Sequence, residues 1–181
     1  MSTAITYDIN NSDLNTKVAA LFAENPGRTP AEAAIELQVT EAEVIRAMPA
    51  EMVTLLDNVA LEDVYNHLRG WGEIMLVLDV EGSIFEMVTP FPKGGYKFGY
   101  YNMSDSRTIL KGHLKMDGVG TIALVSKPFH GVDTKSVQFY SPAGRPIFKV
   151  YLRRNKDRTF LAEHLEQFES LKQLALGSVA A

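Results

Sequence analysis

The first quarter of the chain shows apolar residues at helical spacing. A first helix is predicted by apolar positions three and four residues apart: Leu14, Val18, Leu21 and Phe22. Two shorter helices follow. Thr29 is a typical N-cap with Pro30 at the first helical position, and Thr40 with Glu43 forms the pattern of a capping box. These signals predict a small helical segment at residues 13–49.

From Glu73 onward the apolar pattern changes to the two-residue alternation of strands. Seven short segments are predicted as strands and are divided by Gly, Pro, Asp and Ser turns: 73–82, 83–90, 96–103, 108–116, 120–129, 135–141 and 146–152. Because no helical crossover separates them, we expect a large antiparallel meander.

An apolar stripe between Phe160 and Leu174 predicts a closing C-terminal helix, at residues 157–175. The expected fold class is therefore α+β: a small helical N-terminal segment, a large antiparallel sheet and a C-terminal helix packed on it. We expect residues 1–12 to be flexible and residues 13–175 to form a single domain. Within that domain, the helical cap spans 13–49 and the sheet core 50–153.

The composition is that of a globular protein of 181 residues, with 46% hydrophobic residues and no cysteine. Disulfides and thiolate metal sites are therefore excluded. The N-terminus lacks the basic-then-apolar pattern of a signal peptide, and no apolar run has the length of a membrane span. We accordingly expect a cytoplasmic protein without membrane insertion.

Charge is unevenly distributed along the chain. The net charge is −4, which argues against general nucleic-acid affinity. Between Phe91 and Lys135, however, seven Lys and Arg residues stand against three Asp. This basic middle indicates an anionic ligand, although lysines that discourage edge-to-edge strand pairing are the alternative explanation.

The segment LQVTEAEVIRAM has the outline of a helix-turn-helix, so a DNA-binding regulator is one hypothesis. Its chemistry does not favour this function, because a recognition helix needs base-reading and phosphate-binding side chains. This one offers Glu41, Glu43 and a single Arg46. The sequence also lacks GxGxxG, P-loop, HExxH and GxSxG motifs, so nothing in it supports a hydrolase or other enzyme.

Several segments, taken in order, resemble a known family. GSIFEMVTPFPKG, GYYNM, GHLK, IALVSKPFHGVDTKSVQFYSPAG and IFKVYLRRNKDR are similar to the intracellular haem-utilisation carriers of the HutX/ChuX type. The resemblance covers roughly residues 14–172. It implies a homodimeric cytoplasmic protein that binds haem b and passes it to a haem-degrading or haem-storing partner. It implies a carrier and not an enzyme, with haem degradation as the alternative.

Haem requires an axial ligand, apolar walls and cations at one edge, and both Tyr and His occur as axial ligands. By resemblance, Tyr100 of GYYN is the first candidate for the iron ligand and His113 of GHLK the second. Further haem-contacting positions are expected from aromatic residues and one cation of the basic middle: Phe91, Phe98, Tyr101 and Lys97.

Whether Tyr100 and His113 share a face depends on strand register, which the sequence leaves open. Pairing of Tyr100 with Lys111 puts His113 on the same face, and a slip of one residue puts it on the opposite one. Some relatives carry a further haem-linked histidine on the first long strand. Residues 74–79 contain none here, and His130 is a possible substitute.

Overall fold

The structure is a computed structural model that describes residues 7–80 and 82–177. In these ranges it contains five α-helices and nine strands, which confirms the predicted α+β class. Residues 1–6 of the segment expected to be flexible lie outside the described residues, whereas residues 7–12 belong to the first helix.

The N-terminal layer consists of α1 (Tyr7–Glu24), α2 (Pro30–Leu37) and α3 (Glu41–Ala47). The predicted caps are confirmed, because Thr29 and Thr40 each close a complete capping box. Local side-chain chemistry therefore sets where α2 and α3 begin. Five of the seven residues of α3 are buried, so this helix packs on the domain and does not present a surface for reading bases.

The strands form two antiparallel sheets. The first has six strands in the order β1-β7-β8-β9-β2-β3, and the second has three in the order β4-β5-β6. Their bounds are β1 Val53–Leu55, β2 Glu73–Val80, β3 Ser83–Pro90, β4 Gly94–Lys97, β5 Tyr100–Met103, β6 Gly112–Lys115, β7 Thr121–Phe129, β8 Val132–Tyr140 and β9 Pro146–Tyr151. The β7-β8-β9 run is a meander. β9 also pairs with β2, which lies earlier in the chain, and β4–β6 form the separate small sheet.

Two layers cover the six-stranded sheet. On one face the N-terminal helices bury Val18, Phe22 and Ile45 against Val125 and Tyr140. On the other face the larger core joins that sheet to α4 (Leu61–Leu68), to α5 (Ala162–Gly177) and to the small sheet. Burial of these apolar side chains, at roughly 25 cal/mol per Å² removed from water, holds the layers together.

The C-terminal helix packs on the sheet as predicted but begins later than residue 157. Asp157 Oδ1 accepts hydrogen bonds from the Thr159 backbone N–H at 3.0 Å and from its hydroxyl at 2.6 Å. This local turn keeps residues 157–161 out of the helix. Among the described residues, no helix combines the length and apolarity that a membrane crossing requires.

The structure corrects the prediction of one strand over residues 96–103. Phe98 and Gly99 have φ angles of 58° and 78°, so the chain turns there and forms the β4–β5 hairpin. Positive φ at both central residues is the requirement of a type I′ turn. The strand predicted over 108–116 is likewise shorter, because the loop before it folds around Asp105.

Candidate functional site

The outward side of the small sheet carries the two predicted ligand residues. On the central strand, Tyr100 pairs with Lys97 and Lys115. Its next-but-one neighbour Asn102 pairs with Gly95 and His113. Directly paired residues of an antiparallel sheet project to the same side, as do residues two apart along a strand. These six residues form one surface, here named the Tyr100 face: Gly95, Lys97, Tyr100, Asn102, His113 and Lys115.

Tyr100 and His113 are neighbours on this surface. Their ring centroids lie 6.2 Å apart with an interplanar angle of 78°, an edge-on arrangement. Tyr100 pairs with Lys115 and not with Lys111, but this shift along β6 is by an even number of residues and so keeps His113 on the same side. The question left open by the sequence is therefore answered: the two side chains share a face, and both are exposed to solvent.

Asn102 links the strands of the Tyr100 face. Its Nδ2 donates to the backbone oxygens of Gly95, Lys97 and Tyr100 at 3.0–3.1 Å. Its Oδ1 lies 2.7 Å from His113 Nδ1. Sequence reasoning missed this residue. The available signal was its position two residues after Tyr100 and hence on the same side of the strand.

Two lysines flank the phenol. Lys97 and Lys115 occupy the positions directly opposite Tyr100 on the two neighbouring strands, and both are exposed. A hydrogen bond from Lys115 Nζ to Asp117 Oδ1, 2.9 Å long, raises the pKa of that ammonium group above its ordinary value. Lys97 Nζ lies 4.8 Å from the centroid of the Phe98 ring. Both amino groups are cationic at neutral pH and can pair with carboxylates.

Gly95 leaves the surface beside Asn102 bare. A Cβ built at Gly95 would meet no atom within 4 Å, so packing within the chain does not require glycine there. At the adjacent Gly94, which faces inward, the same atom would lie 2.2 Å from the Asn102 backbone oxygen. Glycine in a strand without a packing reason is typical of places where another molecule approaches the backbone closely.

The structure separates Tyr101 and Phe91 from the other predicted site residues. Both are buried in the core, where their rings stack with centroids 6.2 Å apart. The Tyr101 hydroxyl donates to the Pro92 backbone oxygen at 2.8 Å, and burial raises the pKa of that hydroxyl. These two side chains pack on the inner side of the small sheet and do not belong to the Tyr100 face.

Phe98 stands at the tip of the β4–β5 turn with 84% of its surface exposed. A bulky residue with positive φ is unusual, and such outliers cluster at functional sites. His130 lies in the β7–β8 turn of the other sheet, with its ring centroid 4.1 Å from that of Phe129. The structure therefore places His130 on a different element from the Tyr100 face.

The sequence is similar to proteins of haem utilisation. The model of the family described as Haem utilisation ChuX/HutX matches residues 54–171. The intracellular heme transport protein HutX of Vibrio cholerae is 37% identical over 160 residues, which are 88% of this chain and 83% of that protein.

Solved structures with a similar fold include haem-binding proteins. The heme binding protein ChuX is 26% identical with a TM-score of 0.75, over 91% of this chain and 97% of that one. A protein from Agrobacterium tumefaciens is 28% identical with a TM-score of 0.76, over 96% of this chain and 98% of that one. The heme degrading enzyme ChuS of Escherichia coli O157:H7, at 14% identity and a TM-score of 0.63, shares the fold over 47% of its own length. From its family match and its identity to HutX, the chain belongs to the ChuX/HutX haem-utilisation family.

Proposed function

We propose that this protein is a cytoplasmic carrier that binds haem b on the Tyr100 face and passes it to a haem-degrading or haem-storing partner. The observation that carries the proposal is that Tyr100 and His113 lie side by side on one open surface, with a lysine on each side of the phenol. The names of two relatives support it, since one is a heme transport protein and the other a heme binding protein.

The residues of the Tyr100 face fit the chemistry of haem. The phenol of Tyr100 is our first choice of axial ligand, because bound iron deprotonates a coordinating phenol and Tyr ligation of haem is known. His113 is the second choice. Because both side chains project from the same side, only one of them can reach the iron from this wall, and the other supports it.

The remaining groups fit the rest of the macrocycle. Lys97 and Lys115 can pair with the two propionates, the bare backbone at Gly95 lets a flat ring approach the sheet, and Phe98 offers an exposed aromatic edge. An open wall also suits a carrier, because the ligand can leave without the opening of a closed pocket.

We further propose that the protein forms a homodimer. β3 is an edge strand of the six-stranded sheet, and Ile84, Phe85 and Val88 are each more than half exposed. An exposed apolar edge strand is a surface that a second copy can cover. The chain also corresponds to about half of the ChuS fold, which supports an assembly of two such units.

Titration with hemin tests the binding function. We expect a saturable Soret shift that ends at about one haem per chain. A weak absorbance change that never saturates would count against a haem carrier. Incubation of the complex with a reductant and catalase separates a carrier from a degrading enzyme, since a carrier leaves the Soret band intact and a degrading enzyme replaces it with biliverdin absorption.

Light scattering tests the dimer. Ile84→Glu places a charge on the exposed edge strand and is expected to give monomers, whereas Ile35→Glu, the same change at a still more exposed position on α2, is the control and leaves the dimer intact. A wild-type protein that stays monomeric at all concentrations would contradict this part of the proposal.

A further inference from the structure

We infer that Asn102 is a positioning residue that holds His113 in the tautomer with its proton on Nδ1 and leaves the lone pair on Nε2. The hydrogen-bond geometry carries the tautomer assignment by itself. The role of the free Nε2 in ligand binding rests on the proposed haem function.

The orientation of the Asn102 amide is fixed by its surroundings. Three backbone oxygens, those of Gly95, Lys97 and Tyr100, lie 3.0–3.1 Å from Nδ2. A carbonyl oxygen has no proton to share with them, so only the NH₂ end of the amide can occupy this position. Oδ1 therefore points to His113.

The orientation of the amide decides the protonation of the imidazole. Asn102 Oδ1 is an acceptor, and His113 Nδ1 lies 2.7 Å from it, so Nδ1 must donate the proton. In a neutral imidazole the other nitrogen is then unprotonated. Nε2 of His113 consequently carries a lone pair on an exposed surface beside Tyr100.

Two other histidines are held in the opposite tautomer. The Nδ1 of His67 accepts the indole N–H of Trp71 at 2.8 Å. The Nδ1 of His164 accepts the backbone N–H of Arg153 at 3.0 Å, and its Nε2 lies 2.8 Å from the Trp71 backbone oxygen. Both rings therefore carry their proton on Nε2, so His113 stands apart from these two structural histidines.

The free Nε2 gives the Tyr100 face a basic nitrogen. It can bind iron directly, or it can accept the proton that the Tyr100 phenol loses when that oxygen binds iron. In the second case the phenol O–H bond breaks, its electron pair stays on the oxygen as the iron ligand, and the proton forms a bond to Nε2. Either role requires the tautomer that Asn102 imposes, as outer-shell partners of metal-binding histidines generally do.

The test is a long-range ¹H–¹⁵N spectrum of the imidazole rings in the haem-free protein at about pH 8.5, above the ordinary histidine pKa of about 6.5. His113→Gln assigns the signal of His113, and His67 and His164 are internal controls. We expect the proton on Nδ1 in His113 and on Nε2 in both controls. A wild-type His113 with its proton on Nε2 overturns the inference.

Two substitutions separate the tautomer from the support of the sheet. Asn102→Asp keeps an acceptor for Nδ1–H but loses the three donated bonds, so the tautomer is retained while thermal stability falls. Asn102→Leu loses both functions, and the proton shifts toward Nε2. An unchanged His113 spectrum in a folded Asn102→Leu protein contradicts the inference, and if that variant does not fold, the wild-type spectrum still decides.

Haem titration of the same variants adds the functional readout. We expect Asn102→Leu to lower haem affinity by about 10-fold or more, in the range seen for outer-shell partners of metal ligands, and Asn102→Asp to lower it less. Equal loss in both variants would assign Asn102 a purely structural role. Absence of haem binding in the wild type would refute the proposed function while leaving the tautomer result intact.

Discussion

Two adjacent tyrosines on β5 are placed in opposite environments. Tyr101 is fully buried, packs on Tyr65 and Phe91, and donates to a backbone oxygen. Tyr100 is 37% exposed and lies beside His113 between two lysines. One step along a strand thus separates a residue that holds the sheet in place from one that is available to a ligand.

The same contrast holds across most of the small sheet. On its inner face Tyr101 and Met103 are buried in the core and Tyr96, on the edge strand, stays exposed, whereas its outer face combines a phenol, an imidazole and two ammonium groups over a bare glycine. The buried face gives rigidity to an open site, because the strands that carry Tyr100 and His113 also carry the side chains that pack in the core. Variants that alter one face but not the other should therefore separate stability from binding.

The largest expected difference lies between Tyr101→Ala and Tyr100→Ala. Removal of the buried ring should cost about 3–5 kcal/mol in the free energy of unfolding, as for other buried aromatic residues. Removal of the exposed ring should cost about 1 kcal/mol or less. Urea unfolding measures both, and equal losses would contradict the separation of the two faces.

Glycines 94 and 95 provide the same contrast in the backbone. Gly94→Ala places a methyl group against the Asn102 backbone oxygen and should destabilise the protein by about 1–3 kcal/mol. Gly95→Ala meets open space and should be neutral, or stabilising by up to about 1 kcal/mol, because alanine loses less backbone entropy. Thermal unfolding compares the pair. A Gly95→Ala variant as unstable as Gly94→Ala would show that Gly95 has a structural role.

Gly95→Val sharpens the comparison toward binding. The larger side chain covers the bare backbone and should weaken haem binding by about 1–3 kcal/mol, that is by roughly 5- to 150-fold, with apo stability retained. Hemin titration of Gly95→Ala and Gly95→Val gives a graded series. Unchanged affinity in both would place haem away from this part of the Tyr100 face.

The smallest effect concerns pH. Burial lowers the pKa of His164, and its Nδ1 accepts the Arg153 backbone N–H, a bond that protonation breaks. The native-state pKa therefore lies below the unfolded value of about 6.5. As pH falls through that value, the unfolded chain binds the proton first, so stability declines. Burial lowers the pKa of His67 in the same direction.

Unfolding titrations over this pH range test the assignment. His164→Gln should show a shallower decline than the wild type, because glutamine does not titrate in this range. A steeper decline in His164→Gln would contradict the native-state pKa direction given for His164.

The sequence predicts those features that local chemistry determines. Thr29 and Thr40 begin α2 and α3 because each cap and its partner glutamate are three residues apart. Most strands follow from alternation of apolar residues. The α+β class follows from the order of these elements, and the family resemblance independently identified Tyr100 and His113 as candidate site residues.

Features set by tertiary contacts were not predictable. The turn at Phe98–Gly99 was missed because phenylalanine is not a usual residue at positive φ. The register of β6 depends on the loop around Asp105. The Asp105 carboxylate accepts hydrogen bonds from the guanidinium and the backbone N–H of Arg107, and these bonds lower the pKa of Asp105. Asn102 lies in the GYYNM segment two residues after Tyr100, which puts it on the same side of the strand, but only its hydrogen bonds reveal that it contacts His113.

The most direct test of the account is a comparison of Tyr100→Phe with Tyr96→Phe. Tyr96 is on the neighbouring strand, is comparably exposed and projects to the opposite side of the same sheet. The control therefore removes a phenol oxygen from the face that is not proposed to bind haem. We expect ferric haem complexes of the wild type and Tyr96→Phe to keep the phenolate charge-transfer band, and Tyr100→Phe to lose it and to bind about 10-fold more weakly or worse. A Tyr100→Phe complex with the wild-type spectrum and affinity, together with loss of the Soret shift in His113→Ala, would contradict tyrosine ligation and assign the iron to His113.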